Sequence, residues 1–245
     1  MSSRILVSST DAAPTQTPAP PRRRSNAGGN INLRGSAAGA AGAPAVAINI
    51  ASSAQLLSLL DGAATGPGGK TTILATGSNS RINISGNAGS AAPIDTIRAD
   101  RGAIDIRHTG DNSSVSISNA TLRADTVKVA TLGANGALNI GGGTISADTA
   151  LRLYSEGSNG TINFLANVTL NGPDPILAAN TINITDNVVV TITGTGERPA
   201  SVYTNNPNYS IRDGGNNQNQ NAGRFGGAGA NTFPFANRPP LDGGP

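Results

Sequence analysis

A four-residue phrase recurs in the middle of the chain, and each copy leads into a short run of alternating apolar and polar residues. The copies begin at Ile97, Leu122, Ile145 and Leu177, at spacings of 25, 23 and 32 residues. A repeat of this length indicates a supersecondary unit that buries its apolar side only by stacking on its neighbours. Because the alternation has a period of two and no run here has helical spacing, the units consist of β-strands.

Short strands that recur about every 24 residues, separated by Gly, Asn, Asp and Ser, predict an all-β fold, a single-stranded parallel β-helix. The general preference for right-handed crossovers favours a right-handed coil of roughly five to seven layers. The longest spacing contains residues 171–175, which we interpret as a loop inserted at one corner. Asn139, Asn163 and Asn183 are expected to form a hydrogen-bonded ladder along the outside.

The composition narrows the classes of protein to which the chain can belong. Charged residues make up 13% and aromatic residues 3% of the 245 residues, and Lys and Glu are scarce, which fits a chain with little helix. The absence of Cys excludes disulfides and thiolate metal sites. No apolar run approaches the ~20 residues of a membrane helix, so we predict no membrane span. Residues 5–7 are too short an apolar run for a secretion signal. The chain is therefore cytoplasmic or a fragment of an exported protein, and we favour the fragment.

The composition also suggests how the chain is divided. Residues 1–44 are rich in Pro, Arg, Gly and Ala and are predicted to be a disordered tail, residues 45–204 the β-helix, and residues 205–245 a second disordered tail, rich in Asn, Gly and Pro. Residues 52–55 form a Ser-x-x-Gln capping box and leucines follow, which predicts a short helix at residues 53–60 that covers one open end of the coil.

Two short motifs have a simpler explanation than the function they suggest. The arginines at 22–24 could bind a phosphate backbone, but no aromatic platform accompanies them, so we predict a solvated linker and no nucleic-acid partner. Residues 64–71 match a relaxed phosphate-loop pattern. That chemistry requires a strand before the loop and a helix after it, whereas the predicted order here is reversed, so we interpret this segment as a turn.

The strongest candidate site is a column of aspartates. If the layers are in register, Asp100, Asp125 and Asp148 stack at one corner with Asn180 below them. Carboxylates about 5 Å apart repel each other, and a hard cation such as calcium would relieve the repulsion. The alternative function is therefore a polysaccharide lyase or hydrolase of the β-helix type, with Arg123 near the aspartates. The simpler interpretation, which we adopt, is that each Asp accepts turn N–H groups, with no catalytic residue, cofactor or metal.

The single histidine, His108, lies between a strand pattern and Thr109-Gly110. It could serve as a general base, but the sequence offers no nucleophile to pair with it. We therefore expect His108 to be a surface residue at a turn.

Residues 143–154, 157–164 and 179–192 resemble the β-helical regions of large bacterial surface and secreted proteins of the filamentous-haemagglutinin type. Together with residues 203–209 they also look like the carboxy-terminal part of large FecR-domain proteins, and the resemblance covers about residues 45–210. It implies adhesion or envelope architecture, usually within a longer chain, and it supplies no catalytic residues.

These observations predict a non-catalytic scaffold, extracellular or at the cell surface, that presents a long flat face to a glycan or a cell-surface protein. The open ends of such a coil would also allow end-to-end self-association.

Overall fold

The structure is a computed structural model that describes residues 29–52, 54–59, 68–87, 95–194, 198–209 and 223–242, together with the backbone of a strand at 4–7. Within these residues almost all regular structure is β-strand, with no α-helix and one short 3-10 helix, Phe235–Asn237. The strands are β1 Arg4–Val7, β2 Ile31–Ser36, β3 Ala45–Ile50, β4 Gln55–Ser58, β5 Lys70–Thr76, β6 Ser80–Ser85, β7 Ile97–His108, β8 Ser114–Thr131, β9 Ala137–Ser155, β10 Thr161–Asn171, β11 Ile176–Ala179, β12 Thr181–Ile184, β13 Val189–Thr193, β14 Ala200–Tyr203, β15 Asn206–Asn208, β16 Arg224–Gly227 and β17 Ala230–Phe233.

These strands pair in parallel and form three stacks, each with its own face. The first stack contains β1, β4, parts of β7, β8, β9 and β10, then β13 and β16. The second contains β2, β5, the ends of β7, β8 and β9, then β11, β14 and β17. The third contains β3, β6, the starts of β8, β9 and β10, then β12 and β15. The long strands β8 and β9 contribute to all three stacks.

The register confirms that the repeats lie side by side. Ile97 pairs with Leu122, Leu122 with Ile145, and Ile145 with Leu170. Neighbouring layers in a parallel sheet lie about 4.8 Å apart, so equivalent side chains of successive repeats are in contact. The predicted all-β fold with a large parallel sheet is confirmed, and this arrangement is consistent with a β-helix-like fold.

The fourth copy of the repeat is out of register with the other three. Leu177 pairs with Leu153 in the second stack, whereas Leu170 occupies the position after Ile145 in the first. The interpretation of residues 171–175 as an inserted loop is therefore wrong, because Asn171 ends β10 and residues 172–175 form the ordinary corner between β10 and β11. The sequence suggested the wrong equivalence because the segment around Leu170 lacks the repeated phrase, whereas a similar phrase begins at Leu177 in the next strand, β11.

The core consists of columns of inward-facing aliphatic side chains. Each is an unbroken row in one stack, and burial of each side chain contributes roughly 1.5–3 kcal/mol. In the first stack the row of fully or almost fully buried residues is Ile97, Leu122, Ile145, Leu170 and Ile192. In the second it is Ile106, Val129, Leu153, Leu177 and Val202, and in the third Ile84, Ile117, Ile140, Phe164 and Ile184.

The predicted asparagine ladder is present on the outside of the third stack. Asn163 donates to Asn139 at 2.8 Å, Asn183 donates to Asn163 at 2.7 Å, and Asn208 extends the row by donating to Asn183 at 3.1 Å. A side-chain amide both donates and accepts, so each interior member of the row satisfies its neighbours on both sides.

A second ladder, which the sequence analysis missed, lies at a corner. Asn135 donates to Asn112 at 2.9 Å and Asn159 donates to Asn135 at 3.1 Å. All three residues have positive φ angles, between 50° and 57°. Asn tolerates this left-handed conformation better than most residues, which explains its recurrence at this corner.

The helix predicted at residues 53–60 is wrong. Gln55–Ser58 is strand β4, which pairs with β1 above and β7 below. Leu56 and Leu57 are buried there, and Ser58 donates to the carbonyl of Gly29 at 2.6 Å. The pairing of β4 on both edges and the burial of its leucines outweigh the local preference for a helix that the capping box indicates. Ser53 and Leu60 lie outside the described residues.

Disorder was also predicted for segments that belong to the sheet. In the first tail, Arg4–Val7 and Ile31–Ser36 are strands, and Ile31 is buried. In the second, Asn206–Asn208, Arg224–Gly227 and Ala230–Phe233 are strands. These segments gain their stability from non-local pairing, which composition does not reveal. The arginines at 22–24 lie outside the described residues.

We expect Asn163→Ala to lower the free energy of unfolding by about 1–3 kcal/mol, because it removes two ladder hydrogen bonds and leaves the amides of Asn139 and Asn183 each without one partner. Chemical denaturation would measure the loss. Asn208→Ala is the matched control, since Asn208 is exposed and ends the row with one bond. Equal losses for the two variants would contradict a stabilising ladder.

Candidate functional site

The aspartate column is partly assembled as predicted. Ala99, Ala124 and Ala147 pair in successive layers of the first stack, and an aspartate follows each of them. Burial raises the pKa of Asp125, and the neighbouring carboxylate of Asp148 raises it further. The structure therefore places Asp100, Asp125 and Asp148 close enough for the charges of Asp100 and Asp148 to act on Asp125.

Asn180 is not part of this column. It lies at the end of β11, and its side-chain oxygen accepts a hydrogen bond from Asn205 at 3.0 Å in the following layer. The prediction that Asn180 continues the aspartate column is wrong, because the fourth copy of the repeat belongs to a different stack.

The upper end of the column is neutralised by an arginine. Arg98 Nε donates to Asp100 Oδ1 at 2.6 Å, and its Nη1 lies 3.4 Å from Asp95 Oδ2. The bond to Asp100 raises the pKa of Arg98. Within the described residues, no group of three or more Asp, Glu and His side chains is arranged to hold a metal ion.

A groove lies on the outside of the first stack, near this column. It has a volume of about 410 Å³. Its lining residues are Asp95, Thr121, Arg123, Thr144, Ser146, Asp148 and Asn171. Of the residues singled out in the sequence, the lining includes Asp148 and Arg123.

The register explains the shape of the groove. Arg123, Ser146 and Asn171 pair in three successive layers, and Thr121 pairs with Thr144. Asp95 adds the layer above, since the N–H of Thr96 donates to the carbonyl of Thr121. The groove therefore runs along the stacking direction across four layers, a length of about 14 Å at the usual spacing of parallel strands.

Every residue that lines the groove has a polar or charged side chain. Hydroxyl groups, one amide, one guanidinium and two carboxylates line it, so both donors and acceptors point outward. Arg123 and Asp148 are exposed to solvent. Such a surface can exchange hydrogen bonds with a polyhydroxylated ligand without burying an unpaired charge.

His108 is buried, so the prediction of a surface position is wrong. The N–H of Gly110 donates to its Nδ1 at 3.2 Å, and its Nε2 lies 2.9 Å from Ser80 Oγ. Because Nδ1 accepts, the proton of the neutral ring is on Nε2 and is donated to Ser80. Ser80 in turn donates to the carbonyl of Gly77 at 2.8 Å. His108 therefore has no free lone pair with which to activate Ser80, and its role is structural.

The segment resembling a phosphate loop is followed by a strand, as expected. Lys70 is the first residue of β5, and its Nζ forms an ion pair with Asp105 Oδ2 at 2.8 Å. Residues 64–67 lie outside the described residues. A lysine that is already paired in a strand does not resemble a phosphate-binding lysine.

Residues 234–242, which we call the strap, lie over the second stack, and no sequence pattern predicted this contact. Its carbonyls accept hydrogen bonds from Tyr154 and Arg152, and its Asp242 accepts from Arg107 and Lys128. Burial raises the pKa of Tyr154 to about 12, and hydrogen bonds from Arg107 lower the pKa of Asp242 to about 2. The composition of the strap resembles that of a disordered tail, so no local signal pointed to it.

The chain has no significant match to any protein-family model, any curated protein or any solved structure. Within the residues that the structure describes, no helix has the length and hydrophobicity needed to span a membrane.

The stability of the protein should fall as the pH drops below the ordinary histidine value of 6.5, because burial lowers the pKa of His108. In that range the unfolded chain binds a proton that the folded chain rejects, which costs at most about 1.4 kcal/mol per pH unit. Denaturant unfolding between neutral pH and pH ~5 would measure the slope.

His108→Gln is the comparison, since His108 is the single histidine of the chain. The variant should be less stable at neutral pH and should lose most of the slope. An unchanged slope in the variant would assign the pH dependence to carboxyl groups instead.

Proposed function

We propose that the chain is a single parallel β-helix with a right-handed coil that acts as a non-catalytic scaffold, and that its groove on the first stack binds a glycan. Three parallel stacks, visited in the same order by each successive repeat, support the coil. The polar groove across four layers is the observation that carries the binding function.

A linear glycan suits this groove for two reasons. The groove is elongated along the stacking direction, and its lining changes from layer to layer at a regular spacing. Its hydroxyl, amide and charged groups match the alternating donors and acceptors of sugar hydroxyls. No aromatic side chain lines the groove, so recognition depends on hydrogen bonds, and we expect modest affinity.

The proposed setting is the cell surface or the extracellular space. The resemblance of residues 143–192 to bacterial surface proteins supports this setting, as does an exposed surface rich in Asn, Ser and Thr.

If intact cells of the native host are treated with a protease, peptides from residues 97–194 should be released and detected by mass spectrometry. Protection of these peptides until the cells are lysed would contradict a surface location.

Binding should be tested with the full chain on an array of oligosaccharides. Thr144→Trp fills the groove and should weaken binding by about tenfold or more, a loss of about 1.4 kcal/mol. Thr191→Trp is the matched control, because Thr191 lies in the same row two layers further along, outside the lining. An array without any bound glycan, or equal binding by both variants, would overturn the proposal.

A second candidate function is polysaccharide cleavage, and one observation favours it. The raised pKa of Asp125 beside Asp148 keeps a proton on a carboxyl group at higher pH, as a general acid requires. Asp125 is not among the groove-lining residues, which favours binding over cleavage. New reducing ends or unsaturated products from a bound glycan, absent with Asp125→Asn, would establish the second function.

A further inference from the structure

The strap covers a groove of its own on the outside of the second stack. Tyr203, Ala178, Tyr154, Ala130 and Arg107 occupy one row in five successive layers, and the strap runs along this row. Ala130, Tyr154, Ala178 and the strap residue Leu241 form a buried apolar cluster, separate from the main core. We call the surface beneath the strap the strap groove.

The strap groove recognises backbone carbonyl groups. Tyr154 Oη donates to the carbonyl of Pro239 at 2.9 Å, and Arg152 Nη1 donates to those of Pro240 and Leu241 at 2.9 and 3.0 Å. In these contacts the groove groups are the donors, and the two prolines have no N–H of their own to satisfy. A Pro-Pro segment therefore matches this part of the groove better than an ordinary peptide, whose additional N–H groups would need acceptors.

The strap groove also recognises a carboxylate next to an apolar side chain. Arg107 donates to both carboxylate oxygens of Asp242, at 2.5 and 2.9 Å, and Lys128 Nζ lies 3.4 Å from one of them. Leu241 is buried against the apolar cluster. The bound segment thus has the order proline, proline, apolar residue, acidic residue.

The strap does not fulfil every requirement of the groove. Arg152 is buried, and its Nε has no hydrogen-bond partner. The strap residues after the short 3-10 helix belong to no strand, so they can leave without breaking any pairing of the sheet. The strap is therefore a separable occupant that leaves a buried guanidinium N–H unsatisfied, which is costly.

We propose that the strap groove is a peptide-binding site for an extended Pro-Pro-apolar-acidic segment of another protein, and that the strap is its occupant within the same chain. A partner segment must displace the strap before it binds. The apparent affinity for the partner is therefore the affinity of the open groove multiplied by the fraction of molecules in which the strap has left.

The test uses the full chain with Asp242→Lys, which places a positive charge against Arg107 and Lys128 and so expels the strap. The control is Asp174→Lys, which makes the same change in charge at an exposed residue paired with Arg198. The probe is a fluorescent peptide of residues 234–242, and its anisotropy reports binding. Asp242→Lys should bind the probe at least about tenfold more tightly than the wild type or the control. A probe that itself carries Lys at the position of Asp242 should not bind.

Release of the strap is measured separately with Leu241→Cys, which is the only thiol because the chain has no native Cys. Its rate of labelling should rise when Asp242→Lys is added. Release of the strap without tighter binding of the probe would overturn the proposal. A thiol that stays protected in the double variant would also overturn it, because the contacts of Asp242 would then not decide whether the strap occupies the groove. Dimers of the wild type that are lost in the Asp242→Lys variant would assign the groove to the strap of a second copy and would also overturn the proposal.

Discussion

In-register parallel pairing between successive layers is the interaction on which the rest of the structure depends. It places Ile97, Leu122, Ile145 and Leu170 in one column, and the same pairing aligns the polar residues on the outside. One backbone register therefore builds the core and the surface together. A shift by one residue would move every aliphatic side chain outward, so each layer strongly constrains the register of the next.

The polar surface follows from this register. Asparagines at equivalent positions become ladders, and aspartates at equivalent positions become a column in which Arg98 neutralises Asp100 and burial, with the neighbouring carboxylates, raises the pKa of Asp125. Threonine, serine and asparagine in adjacent layers form the groove of the first stack. Stacking of repeats therefore produces extended surfaces.

The two grooves differ because different parts of the chain border them. The groove of the first stack is made only of residues in and beside the stacked strands, and it is open. In the second stack a non-repeating segment lies over the row of Tyr154 and Arg107. Asp105, in the same stack, is paired with both Arg107 and Lys70. Burial alone would raise the pKa of Asp105, but the hydrogen bonds from these two side chains outweigh burial and lower the pKa. The second groove is therefore covered by its own chain, whereas the first depends on the register.

The sequence alone determined the features that repeat. The period of two and the spacing of Ile97, Leu122 and Ile145 predicted the all-β fold, the parallel stacking, the asparagine ladder and the proximity of Asp100, Asp125 and Asp148. Only the tertiary structure decided the features that depend on non-local contacts. Gln55–Ser58 is a strand because β1 and β7 flank it, His108 is buried because Ser80 and Gly110 surround it, and residues 234–242 are ordered because Arg152, Tyr154 and Arg107 hold them. A repeat reveals contacts between equivalent positions, whereas contacts between unlike segments leave no periodic signal.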